Sequence, residues 1–113
     1  MGKKRQIKCV LITGISGSGP AYVFYFMNSM LEAALKMGFS KNDSKVLVSQ
    51  TFEGAVKLFN ESDLSPSTWM ERVASKGGTT RAALDSMDDN NVEELIKDAA
   101  YAAFDRAVEL GKE

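Results

Sequence analysis

The segment Pro20–Met37, PAYVFYFMNSMLEAALKM, restricts the fold of this chain more than any other. Its polar residues Asn28, Glu32 and Lys36 fall on one narrow i,i+4 stripe. Val23, Phe24, Phe26, Met27, Met30, Leu31, Ala34 and Leu35 cover most of the remaining circumference. A helix that is apolar on nearly every side must be buried on several sides. The whole chain has 113 residues, too few to surround such a helix alone. The pattern therefore predicts that a second subunit covers part of it.

Helix punctuation continues along the chain. Pro20 suits the first helical position, where a missing N–H costs nothing, and Gly38 can supply a left-handed stop. Ser40 with Asp43 makes a capping-box-like start for a second helix reaching about Asn60. Leu47, Val48, Phe52, Ala55, Val56 and Phe59 give that helix one wide apolar face. Gly54 inside it costs about 1 kcal/mol against alanine, which predicts close approach of another helix. Ser65-Pro66 opens a short third helix with Trp69, Met70 and Val73. After Ser75–Thr80, a fourth carries Ala82, Ala83, Leu84 and Met87. Asp88–Asn91 is a turn cluster with Asn91 as cap, and the last helix spans about Val92 to Leu110 before Gly111. Only Ile7–Ile12 leans toward extended structure. The expectation is an all-α domain of about five helices forming an interlocked homodimer, with residues 1–14 a divergent N-terminal strand or tail and residues 15–113 the helical domain.

Composition removes several classes of function. The chain contains no histidine, which excludes Ser-His-Asp and Cys-His sites and histidine-based zinc sites within it. Cys9 is the one cysteine, so no intrachain disulfide can form. A formal net charge of −1 gives no electrostatic case for nucleic acid or an anionic membrane. Val10–Ile12 is too short to span a bilayer. These features predict a metal-free cytoplasmic protein.

Two glycine clusters could carry chemistry. Val10–Tyr22, VLITGISGSGPAY, nearly spells a phosphate loop, with Gly14 and Gly19 at the right spacing. Pro20 and Ala21 stand where that loop needs Lys and then Ser or Thr, so it has neither the ammonium nor the magnesium ligand. In Ser75-Lys76-Gly77-Gly78-Thr79-Thr80, two glycines precede a helix start, where free N–H groups and the helix dipole suit a carboxylate or phosphate. Arg72, Lys76 and Arg81 add positive charge. The same residues also read as a plain helix–helix turn with Thr79 as cap, and on local residues alone that reading weighs more.

Four ordered motifs carry a resemblance: Ile15-Ser16-Gly17-Ser18-Gly19-Pro20-Ala21-Tyr22-Val23-Phe24, Lys36-Met37-Gly38, Gln50-Thr51 with Gly54-Ala55, and Ser75-x-Gly77-Gly78-Thr79-Thr80. In order and spacing, over about Ile15 to Leu110, the chain resembles the C-terminal domain of Δ1-pyrroline-5-carboxylate reductases. That resemblance implies an oxidoreductase family that makes proline from pyrroline-5-carboxylate with NAD(P)H. A Rossmann domain holds the dinucleotide in the intact enzyme, and the helical domain interlocks with a second copy. It also implies that Ser75, Gly77, Gly78, Thr79 and Thr80 hold the substrate carboxylate. Thr80, as the catalytic residue, lies near the ring nitrogen, and Val73 is a neighbouring wall. The balance at the second glycine cluster thereby turns to a substrate loop.

The departures are specific. Lys76 stands where the family usually has Pro, Arg72 where Asn or Gln is common, and Asp88–Val92 replaces a more glycine-rich turn. Met1–Gly14 is too short for a βαβ unit. The expected function is the dimerisation and substrate-site domain of a pyrroline-5-carboxylate reductase, inactive alone and holding no cofactor tightly. Its expected partners are itself and, weakly, proline or pyrroline-5-carboxylate. The alternative is a catalytically silent helical interaction module, which Lys76 and Arg72 favour.

Overall fold

The computed structural model describes residues 12–75 and 78–111. Among them a π-helical turn, Thr13–Gly17, precedes five α-helices: α1 Gly19–Met37, α2 Lys41–Asn60, α3 Pro66–Ala74, α4 Gly78–Asp89 and α5 Val92–Gly111. No strand occurs among the described residues, in line with the all-α expectation. The extended lean of Ile7–Ile12 falls outside them except at Ile12, which is helical.

Local chemistry sets most helix ends. Gly38 has φ +109°, and two hydrogen bonds close the end of α1: Gly38 N–H to Leu35 O at 3.1 Å and Phe39 N–H to Ala34 O at 3.2 Å. This paired 6→1 and 5→2 pattern is the Schellman stop that a glycine permits. Ser40 caps α2, its Oγ accepting from Asp43 N–H at 3.0 Å. Ser65 caps α3 in the same way through Thr68 N–H at 3.1 Å, with Pro66 in the first turn. Asn91 stands at the N-cap position of α5, as expected, but with an unusual backbone conformation. Asn91 has φ +55°, and its backbone carbonyl accepts Leu95 N–H at 3.1 Å. An asparagine tolerates this left-handed conformation, so Asn91 serves as a backbone corner rather than an extended side-chain cap.

The described residues form two compact units, one of residues 12–24 with 86–111 and the other Tyr25–Asp85. In the first, the π-turn packs on α5. Gly14 is buried, and a Cβ there would sit 3.5 Å from both Ala100 O and Phe104 Cβ. Tyr22 Oη donates to Gly14 O at 3.1 Å. The glycine-rich stretch that imitates a phosphate loop is thus engaged in packing its own helix start. On α5, Lys97 Nζ lies 3.1 Å from Glu93 and 3.3 Å from Glu94. Hydrogen bonds to Glu93 and Glu94 hold its pKa above the ordinary lysine value.

In the second unit, α1 and α2 form an antiparallel hairpin about Gly38–Ser40. Phe26 and Phe52 meet edge to face, with centroids 5.5 Å apart and planes at 73°. Ser44, Val48 and Phe52 recur at i,i+4 along α2, and Ser44 is fully buried. The Ser44 hydroxyl has no hydrogen-bond partner among the described residues. A buried unpaired hydroxyl is costly and alanine is the better helix former. Ser44→Ala should therefore raise stability by about 1 kcal/mol, read from the denaturation midpoint. A lower midpoint would mean that the hydroxyl is satisfied in the folded protein.

Very little apolar surface is covered. Among the described residues Val48, at 8% exposure, is the one buried hydrophobic side chain. Phe24 is 67% exposed, Leu95 61% and Met30 43%. The close neighbour expected at Gly54 is not supplied by the described residues, since a Cβ there would meet none of their atoms within 4 Å. No helix among the described residues is long and apolar enough to cross a membrane.

Candidate functional site

The turn from α3 to α4 is built by its flanks. Ser75 ends α3, its N–H donating to Glu71 O at 2.9 Å and its Oγ to Arg72 O at 2.8 Å. Gly78, Thr79 and Thr80 form the start of α4, where the first N–H groups have no acceptor within the helix. No acidic residue occupies the first turn of α4. An anion at this point would therefore meet donors and the positive end of the dipole without a competing carboxylate. Gly77 and Lys76 lie outside the described residues. Gly78 is exposed, and a Cβ added to it would meet no atom within 4 Å.

Behind the turn lies a groove of about 500 Å³ between α2, α3 and α4. Val56 and Phe59 from α2, Trp69 and Val73 from α3, and Thr80 and Leu84 from α4 are among its walls. The structure thus brings Val73 and Thr80 to the lining of one groove, whereas Ser75 ends α3 and Gly78 and Thr79 start α4 outside it. Thr80 is half-buried, while Val73, Ser75 and Thr79 are exposed.

The cations near the turn are less free than their count in the sequence implies. Arg81 Nη2 lies 3.5 Å from Glu71 Oε1, and the Arg72 guanidinium sits 5.4 Å from the Trp69 ring centroid. One charge is therefore paired and the other is held over an aromatic face. Trp69 Nε1 and Arg81 Nε are both shielded from solvent without a hydrogen-bond partner among the described residues. Sequence reasoning missed Glu71 and treated Trp69 only as an apolar helix residue. The i,i+3 spacing from Trp69 to Arg72 was the available signal for the stacked pair. No group of three or more Cys, Asp or Glu side chains among the described residues could hold a metal ion.

Residues 7–110 match the family described as pyrroline-5-carboxylate reductase dimerisation. A pyrroline-5-carboxylate reductase of Pseudomonas aeruginosa is 39% identical over 102 residues, spanning 90% of this chain and 37% of that protein. One from Staphylococcus haemolyticus is 34% identical over 101 residues, 89% of this chain and 37% of its own length. The chain thus spans less than two-fifths of the length of these relatives. Among solved structures, the Plasmodium falciparum pyrroline carboxylate reductase with NADP bound superposes with a TM-score of 0.89 at 34% identity, covering 93% of this chain and 40% of that one. The Coxiella burnetii pyrroline-5-carboxylate reductase gives 0.86 at 38% identity, covering 92% and 38%.

Proposed function

The chain belongs to the pyrroline-5-carboxylate reductase dimerisation family, and from that premise we propose that it is the self-associating, substrate-binding part of a reductase that forms proline from pyrroline-5-carboxylate. The observation that carries this reading is the uncovered apolar surface, with Val48 alone buried among the described hydrophobic side chains. A second copy laid on α1 and α5 would provide the core that one chain lacks. Association of that kind behaves as a shared core, so folding and dimerisation are one event.

The substrate's carboxylate binds at the start of α4. N–H groups of Gly78 and Thr79 hold it, with the Ser75 hydroxyl at the edge of the turn. Thr80 then lies beside the ring nitrogen and Val73 forms the adjoining wall. The role of Gly77 follows from the family motif alone. These residues bind and orient, so the part played by this chain in hydride transfer is to fix the imine in place.

NAD(P)H does not fit the described residues. A Rossmann-type dinucleotide site combines a strand, a glycine turn and a helix N-terminus. Here no described residue forms a strand, and the Gly14 carbonyl accepts from Tyr22. On this reading a separate nucleotide domain acts with this one. The 113 residues alone should give no turnover of pyrroline-5-carboxylate with NADPH above a protein-free control. Reproducible turnover that Thr80→Ala abolishes would overturn the requirement for a separate nucleotide domain.

A further inference from the structure

Glu71 touches both flanks of the turn that carries the carboxylate site. Its carbonyl accepts the Ser75 N–H at 2.9 Å, the helical hydrogen bond that ties Ser75 to the last turn of α3. Its carboxylate lies 3.5 Å from Arg81 Nη2 on α4, one residue beyond Thr80. The other ion pairs among the described residues, Lys97 with Glu93 and Glu94 and Arg106 with Glu109, are i,i+3 or i,i+4 contacts within α5. They stiffen a single helix. Glu71–Arg81 instead joins two helices across the turn. Arg81 Nε is shielded from solvent, so packing fixes the inner part of the guanidinium and Glu71 fixes its outer edge.

We propose that Glu71 and Arg81 are positioning residues. Their ion pair sets the spacing between Ser75 and the first turn of α4, so that the N–H groups of Gly78 and Thr79 converge on one carboxylate. The proposal rests on the substrate-site reading above. In it Arg81 does not bind the ligand, because its charge is committed to Glu71. The Arg81 side chain is 44% exposed and the Glu71 side chain 72%, which limits the effect to about three- to fivefold in affinity at most.

The test compares wild type with Glu71→Gln, Arg81→Gln, the double variant and the charge exchange Glu71→Arg/Arg81→Glu. Two quantities are read: L-proline affinity by NMR titration, and hydrogen exchange of the Ala82, Ala83 and Leu84 amides, the first to be hydrogen-bonded within α4. Each single variant should speed exchange at these amides and weaken proline binding by about three- to fivefold. The double variant should be no worse than either single one, since both remove the same contact. The charge exchange should recover part of the loss.

Unchanged exchange and affinity in both single variants would overturn the proposal. So would tighter proline binding in Glu71→Gln with weaker binding in Arg81→Gln, because Arg81 would then be contacting the ligand itself. Absence of proline binding in wild type, with faster exchange in both variants, would refute the substrate-site reading and the carboxylate role of the pair together. The exchange result would then leave the pair as a brace between α3 and α4 only.

Discussion

Met30→Asp should leave the chain unfolded, not merely monomeric. Met30 lies between α1 and α2, beside Phe26 and Phe52 in a small cavity of about 150 Å³, and remains 43% exposed in one chain. Its remaining exposed surface is what a second copy would cover. A carboxylate at this point loses the methionine packing and must be desolvated against two aromatic rings and the partner. The combined cost is on the order of 3–5 kcal/mol, comparable with the whole stability of a small domain. Circular dichroism should show loss of helix at concentrations where wild type is folded. Met30→Leu, which keeps volume and polarity, should cost less than about 1.5 kcal/mol. A folded Met30→Asp monomer would show that the chain has a sufficient core of its own.

Gly78→Val should abolish L-proline binding while leaving the fold intact. Wild type should bind proline in the millimolar range, around −4 kcal/mol, because this chain offers one wall of a pocket and leaves the ligand partly solvated. Amide shifts should concentrate at Ser75–Arg81. A Cβ on Gly78 meets no protein atom within 4 Å, and valine is a better helix former than glycine. The substitution should therefore not lower the denaturation midpoint. Its branched side chain would nevertheless occupy the space in front of the first free N–H groups, which a bound carboxylate needs. Loss of shifts at tens of millimolar proline, with an unchanged midpoint, supports the site. Equal binding by Gly78→Val, or shifts confined to other residues, would remove the carboxylate from this turn and favour a helical interaction module.

The parts of the fold that sequence makes legible are those set within a few residues. Gly38 stops α1 because its missing Cβ permits φ +109°, and Ser40 and Ser65 cap because their side chains reach the next turn. Asn91 was legible as a turn residue but not as a left-handed corner, because side-chain capping and positive φ are both open to asparagine. The π-turn at Thr13–Gly17, in a stretch whose sequence imitates a phosphate loop, was not legible for a different reason. That turn depends on α5, some 86 residues away at Ala100 from Gly14, and no local propensity reports it.

The candidate site divides along the same line. Ser75, Gly77, Gly78, Thr79 and Thr80 stand together in the chain, so their motif could be read directly. The groove behind Thr80 could not, since α2, α3 and α4 each contribute to it. Glu71–Arg81 was equally hidden: ten residues separate the two, and only the reversal between α3 and α4 brings them to 3.5 Å. Counting Arg81 as free positive charge overstated the field at the turn, because Glu71 pairs with it, while Arg72 keeps its charge over the Trp69 ring.

Sedimentation equilibrium of the wild-type chain at micromolar concentration bears on all of this at once. The exposed apolar faces of α1 and α5 call for a folded species of twice the 12.3 kDa chain mass, or a higher multiple, with no folded monomer on dilution. A folded, helical 12.3 kDa monomer at that concentration would contradict it.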